Sequence, residues 1–282
     1  MTAGIHPFEQ LCCPLDQSPL TLEGNAWRCS QGHSFDVAKQ GYVNLLPVQN
    51  KRSKDPGDSK AMVQARAEFL AQGFYAPIAD ALATLVLNDD TQALLDAGCG
   101  EGYYLRHLLD RAADGERSLH VAALDISKWA VLAAAKQDSR VQWLVASNSH
   151  IPLPSASIDT LLCVFGFPVE SEFARVLKPD GRLLMVDPGS EHLAELKHVI
   201  YEQVHSKPER LPVAADQWRL ASEQHLTYTF DLPSHQAIQA LLLMTPHLHR
   251  ASAQGRARAE ALQSLSVTVD VWLREFVPAS NT

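Results

Sequence analysis

Four side chains near the N-terminus, Cys13, Asp16, Cys29 and His33, stand at the spacing of a metal knuckle. Two residues separate the first pair, three the second, and twelve lie between the pairs. Thiolates and an imidazole in such an array bind zinc tetrahedrally, yet a sulfur is missing where Asp16 stands. The stretch therefore reads either as a metal site with an oxygen ligand or as the remains of one. A second group lies further on, in "LLDAGCGEGYY". Asp96 precedes Gly98, Gly100 and Gly102 at alternate positions, so backbone can approach a ligand closely while a carboxylate orders the loop. Asp125 of "ALDIS", at the tip of the next strand, stands where a carboxylate accepts both hydroxyls of a ribose. The polar turn and Pro-containing loop of "VASNSHIPLPSASID" are a common place to hold an adenine. Together they describe an adenosine site. The spacing is not the Gly-x-Gly-x-x-Gly of a nicotinamide dinucleotide fingerprint.

These residues need particular elements to position them. "ALLDAGCG", "HVAALDIS", "VQWLVAS", "IDTLLCVFGF" and "RLLMVDPG" read as strands, and "YYLRHLLDRAA", "KWAVLAAAKQ" and "VESEFARVL" as helices between them. Such alternation predicts a parallel sheet covered on both faces, with ligands at the carboxyl ends of the strands. Ahead of it, "AMVQARAEFLAQGFYAPIADALATLVL" has helical spacing, broken near Gly73 and before Pro77, and predicts two helices. Towards the C-terminus "AIQALLLMTP" reads as a helix and "SLSVTVDVWLREF" as an edge strand. The first 48 residues, with "LTLEG" and "AWRCS" as small strands about a turn, are too few to stand on apolar burial alone, which is a reason to expect a metal. Three regions follow: 1–48, a zinc-ribbon-like module; 49–91, a basic linker and helical segment; and 92–282, the α/β domain.

Composition narrows the classes. Hydrophobic residues make up 46% and charged residues 20% of the 282, ordinary for a globular protein. No apolar run is long enough for a membrane span, and "MTAGIHPFEQL" lacks a secretory signal, so a cytoplasmic protein is expected. Five cysteines, with Cys12 and Cys13 adjacent, do not form a disulfide framework. A net charge of −8 leaves room for a local basic patch, and Lys51, Arg52, Lys54 and Arg66 supply one.

The glycine loop, Asp125 and "FARVLKPDGRLLMV" resemble the S-adenosylmethionine-dependent methyltransferases. The likeness implies ribose at Asp125, the methionine part over Gly98 and Gly100, and adenine near Ser147. With "CSQGHSFDVAKQGYVNLLPVQNKRSKDPGDS", "GCGEGYY", "VASNSHIPLP", "ARVLKPDG" and "PGSEHLAELKHVIYEQVH", nearly the whole chain resembles the bacterial 23S rRNA (guanine(745)-N(1))-methyltransferases of the RlmA type. The resemblance implies an α/β fold: a Rossmann-like class I SAM-dependent methyltransferase domain behind a small zinc-ribbon-like module that recognises a 23S rRNA hairpin, in a homodimer. It carries cofactor contacts onto Tyr75, Gly100, Glu101 and His192. It also maps four zinc ligands, Cys-x₂-Cys and Cys-x₃-His, onto Cys13, Asp16, Cys29 and His33. Asp16 departs from that pattern, which leaves a weakened zinc site, a replacement ligand in Cys12, or a metal-free knuckle packed around Trp27 and Phe35. N1 of guanine carries a proton, so an acceptor is expected; Asp187, His150 and Glu170 are candidates, and Phe165 and Phe167 could stack a base. A small-molecule methyltransferase and a non-catalytic RNA-binding relic are the other readings.

Overall fold

The computed structural model describes residues 4–50, 53, 55–87, 91–113, 118–204, 211–245, 247 and 251–279. Lys51, Arg52 and Lys54 of the expected basic patch lie outside the described residues.

A nine-stranded sheet organises the chain, in the order β12-β13-β11-β10-β7-β8-β9-β6, with β1 paired to β8 beside that path. Its centre is the predicted series: β7 (Ala93–Ala97), β8 (Ser118–Asp125), β9 (Gln142–Val145), β10 (Ile158–Val164) and β11 (Leu177–Pro188), paired in parallel. All five residues of β7 are buried, as a strand covered on both faces must be. The crossovers are α3 (Tyr103–Ala112), α4 (Lys128–Ala135) and α5 (Glu170–Val176). The two predicted helices before the sheet are α1 (Lys60–Leu70) and α2 (Ala76–Leu87). Ser59 caps the first, accepting from the Met62 N–H, and Pro77 lies in the first turn of the second, where its missing N–H costs nothing.

A four-stranded antiparallel sheet, β2 (Leu11–Cys12), β3 (Pro19–Glu23), β4 (Ala26–Arg28) and β5 (Ser34–Asp36), forms the ribbon. The strands on either side of it, β1 (Gly4–Pro7) and β6 (Tyr42–Asn44), pair in parallel with β8 and β9 of the large sheet. The ribbon is thus tied in at both ends. Its Leu11, Cys13, Leu20 and Trp27 share one apolar cluster with Leu95, Leu153, Phe173 and Met185 on that face of the sheet. On the opposite face, α1 to α4 pack together with α6 (Ala194–Ile200), α7 (His235–Met244) and α8 (Ala253–Glu260).

One expectation changes. "SLSVTVDVWLREF" lies in β13 (Leu265–Pro278), which is second from the edge; the edge is β12 (Trp218–Leu232), antiparallel to it over fourteen paired positions. Ala221 to His225 of β12 are all exposed, which breaks the pattern in its first half, while Leu226, Tyr228, Phe230 and Leu232 alternate with polar residues in its second half and pack on the helical face.

Candidate active site and metal centre

The knuckle is built from two tight turns. Cys13 follows β2, and its carbonyl accepts from the Gln17 N–H while its own N–H donates to the Ser18 carbonyl. Gln17 takes φ +62° to close that turn, and Gly32, at φ +86°, closes the matching turn after Cys29. The ligand atoms of Cys13, Asp16, Cys29 and His33 consequently all lie within 4.8 Å of one another. His33 Nδ1 is 3.4 Å from Cys13 Sγ, 3.3 Å from Cys29 Sγ and 3.0 Å from Asp16 Oδ2, and Cys29 Sγ is 3.5 Å from that same oxygen. Zinc–ligand bonds of about 2.0–2.3 Å make a tetrahedron with edges of roughly 3.3–3.8 Å, so the four donors fit one ion. Asp16 is committed to it by Ser18, whose N–H and hydroxyl both donate to Oδ1, at 2.9 and 2.5 Å, leaving Oδ2 for the centre. Those two bonds also hold the Asp16 carboxyl well below the usual carboxylate range. Cys12 does not replace it. Its backbone N–H donates to the Pro152 carbonyl, and it lines, with Arg175, a separate cavity of about 690 Å³.

The second site lies at the carboxyl ends of β7, β8 and β9. The N–H groups of Gly98 and Cys99 both donate to the Leu124 carbonyl, which folds the glycine loop over the end of β8. Gly98 and Gly100 hold φ of +93° and +56°. A Cβ on Gly98 would meet nothing within 4 Å, and one on Gly100 only the tip of Arg66, so an open cradle lies above them. Gly102 is different: a Cβ there would press on Trp143, Arg106 and Ala134, making it a packing residue. Asp125 orders the loop, accepting from the Gly100 N–H at 3.0 Å and the Ser127 N–H at 2.7 Å. Ser147 is half-buried beyond β9, its hydroxyl 2.8 Å from that of Ser149.

Charge gives this cradle its chemistry. Asp96 and Glu101 are each 2% exposed, and Oδ1 of Asp96 has no hydrogen-bond partner. Burial first, then the charges of Asp125 and Glu101, push Asp96 up to about 7. Burial also raises Glu101 and Asp125. Three crowded carboxylates favour a cation in their midst, and S-adenosylmethionine brings both an ammonium and a sulfonium. The residues present fit that donor.

Tyr75 and His192 close the far side. His192 Nδ1 accepts from the Asp270 N–H at 3.3 Å, so Nε2 carries the proton and donates to the Tyr75 hydroxyl oxygen, 3.4 Å away. Burial, chiefly, lowers His192 to about 4, keeping the ring neutral, and the Tyr75 hydroxyl hydrogen is left for a ligand. Phe165 stacks on His192 at 5.7 Å and adjoins Tyr75 and Tyr104 at 6.2 and 6.3 Å. This aromatic wall suits a sulfonium. Phe165 holds φ +51°, a strained conformation for a bulky residue and one found at functional sites. Tyr104 and the wall role of Phe165 escape sequence reasoning, because an aromatic after a strand or in a first helical turn reads as packing.

Arg66 is also placed differently from the expectation. It is ion-paired to Asp58 at 2.5 Å and donates to the Met244 carbonyl, over the cradle instead of on an outer basic face. The Pro56-Gly57 turn brings Asp58 there. Gly57 holds φ +81°, and a Cβ would lie 2.9 Å from Ile126 and Ser127, while the Ser127 hydroxyl donates to the Asp58 carbonyl at 2.7 Å. Beyond the wall, Phe167 is 87% exposed, its carbonyl held by the Asn148 side chain at 3.2 Å.

Known proteins resemble both the ribbon and the α/β region. Residues 11–54 match the zinc-ribbon family described as RlmA, N-terminal, and residues 95–185 match a methyltransferase domain. A Bacillus subtilis protein assigned as a 23S rRNA (guanine-N(1)-)-methyltransferase is 31% identical over 94% of this chain and 95% of its own. The 23S rRNA (guanine(748)-N(1))-methyltransferase of Streptomyces fradiae is 34% identical over 84% of each. A malonyl-[acyl-carrier protein] O-methyltransferase of Yersinia pestis is 30% identical, but over only 60% of this chain. With its ribbon, its glycine cradle and a likeness running almost end to end, this chain belongs to the RlmA-type family of 23S rRNA guanine-N1 methyltransferases.

Proposed function

We propose that the protein transfers a methyl group from S-adenosylmethionine to N1 of a guanine in a 23S rRNA hairpin. The observation that carries the reading is the docking of a four-donor ribbon on the same sheet whose carboxyl edge holds the acidic cradle. A small-molecule methyltransferase has no use for such a ribbon, and a relic has no reason to keep three buried carboxylates around an open cradle.

The roles divide by position. Asp125 takes the ribose hydroxyls and Ser147 lies at the adenine. Gly98 and Gly100 would hold the methionine part, with Asp96 and Glu101 to meet its ammonium and the Tyr75 hydroxyl, backed by His192, to donate to its carboxylate. Phe165 and Tyr104 would line the sulfonium. Bound there, the donor supplies an electrophilic methyl group, and the chain's task is to align the base behind it, a contribution of about 7–11 kcal/mol when alignment is good. Phe167 stacks an unpaired base of the hairpin, as single-stranded RNA recognition requires. Cys13, Asp16, Cys29 and His33 hold zinc, which fixes the ribbon that, with Lys51, Arg52 and Lys54, contacts phosphates. We place this chemistry in the cytoplasm, in a homodimer.

Incubating the protein with labelled donor and an unmodified transcript of the hairpin tests the reading. Methylation at guanine N1, mapped as a primer-extension stop at 745 or 748, is expected. Labelling of free nucleosides or an acyl carrier but not the transcript would overturn it. Sedimentation at micromolar concentration tests the dimer.

A further inference from the structure

Resting on that reading of the reaction, we propose that Asp187 accepts the N1 proton of the target guanine. It is the last residue but one of β11. Across the sheet it is paired with Trp272, which is paired in turn with His225, so the three share one face. On its other side the Phe165 N–H donates to the carbonyl of the preceding Val186, which sets Asp187 against the strained turn that carries the cofactor wall.

Cys163 links it to the cradle. Cys163 lies in β10, the strand between β7, which carries Asp96, and β11, which carries Asp187, and both charges bear on its buried thiol. Gly166 packs closely over that thiol: a Cβ there would come within 2.8 Å of Cys163 Sγ, so only glycine fits. Asp96 and Asp187 thus both stand near the carboxyl ends of strands that flank β10.

Oδ2 of Asp187 is buried and has no hydrogen-bond partner. Such an acceptor is costly unless a donor arrives, and the N1–H and N2–H edge of guanine offers two. The other candidates are engaged or turned away. Glu170 accepts from the Ala214 N–H at 2.9 Å, tying down the chain that follows, and His150 is exposed with Nδ1 against the Ser149 carbonyl. Burial, opposed by Arg274, pushes Asp187 up to about 6, ionised at neutral pH yet basic enough to take a proton. The groups facing it are Cys163 from β10 and Arg274 from β13, with His225 of β12 stacked on Trp272 at 4.2 Å.

The step balances. The N1–CH₃ bond forms as the S–CH₃ bond breaks, its electron pair stays on sulfur, and the N1 proton passes to Asp187 Oδ2 and then to solvent.

Asp187→Asn, which keeps the shape and removes the basic oxygen, is the test, assayed with labelled donor and the hairpin transcript. Turnover is expected to fall about 10²–10⁴-fold, with donor affinity by calorimetry within threefold of the parent. The acid limb of the pH–rate profile, near 6 in the parent, should vanish. The melting temperature should hold or rise, because an unpaired buried carboxylate has been neutralised. Turnover within threefold of the parent, an unchanged acid limb, or a loss that tracks lower donor affinity or melting temperature overturns the role. A parent protein that binds donor but leaves the transcript unlabelled overturns the rRNA reading and this role together, whereas an active parent with an active Asp187→Asn variant overturns this role alone.

Discussion

The knuckle and the cradle are both small polar clusters, but they stand in opposite states of satisfaction. At the knuckle every donor converges on one point, and Asp16 is held there by two hydrogen bonds from Ser18. At the cradle Asp96 keeps a buried oxygen without a partner, Asp187 keeps another, and Phe165 bears a left-handed backbone. The difference teaches which cluster serves stability and which serves reaction. A preformed donor set turns metal binding into folding free energy, while unmet groups are tolerated where a ligand completes them.

The contrast breaks most visibly at the metal. Structural zinc contributes on the order of 10–16 kcal/mol of apparent binding free energy, and the harder aspartate ligand places this site at the weaker end. Cys29→Ser should abolish co-purifying zinc, measured by atomic emission, and separate an early ribbon transition from the main melt. Asp16→Cys should slow zinc loss to a chelator. If the Cys29→Ser protein melts in one unchanged step, Trp27 and Phe35 hold the ribbon by packing alone, and the knuckle is no more a stability device than the cradle.

On the other side of the comparison, Asp125→Asn should weaken donor binding with little effect on the fold. Two charge-assisted bonds to ribose hydroxyls, at about 1.5–3 kcal/mol each, amount to a hundredfold or more by calorimetry. An undiminished affinity would mean that Asp125 serves only to order Gly100 and Ser127. Phe167→Ala should cost about 1–3 kcal/mol of hairpin affinity, the worth of one stacked base, and leave donor binding as it was. Gel-shift titration with the transcript checks it.

The difference between the clusters also governs what could be read in advance. The knuckle was legible because its ligands lie in two short runs of sequence, and only the way Ser18 turns Asp16 inward needed coordinates. The central strands and their helices were legible because buried parallel strands are continuous apolar runs. The cradle was half legible: Asp96, the glycines and Asp125 sit at strand ends that the pattern locates, while Tyr75 and His192, 117 residues apart, meet only through the packing of α2 against the turn before α6. Arg66 read as a surface cation because the Pro56-Gly57 turn that folds Asp58 onto Ser127 leaves no periodic trace. The edge strand β12 carries the alternation of a half-buried strand only from Leu226 to Leu232, and the exposed run from Ala221 to His225 before it breaks the pattern.

A change at Asp96 tests the crowding itself. Asp96, raised to about 7, holds a proton in the folded protein that it has already lost in the unfolded chain over the range between its ordinary value near 4 and 7. Its contribution to stability is therefore full below that ordinary value and is lost as pH rises through 7. Asp96→Asn should raise the melting temperature at pH 8 and leave it unchanged at pH 3.5. Binding of a sulfonium and an ammonium beside Asp96 favours the ionised form, so donor binding at pH 7 should release a fraction of a proton. Calorimetry in buffers of different ionisation enthalpy measures that fraction, and the release should disappear in Asp96→Asn. Were the parent to take up protons instead, the cradle would not be accepting a cation, and the contrast with the self-satisfied knuckle would lose its electrostatic cause.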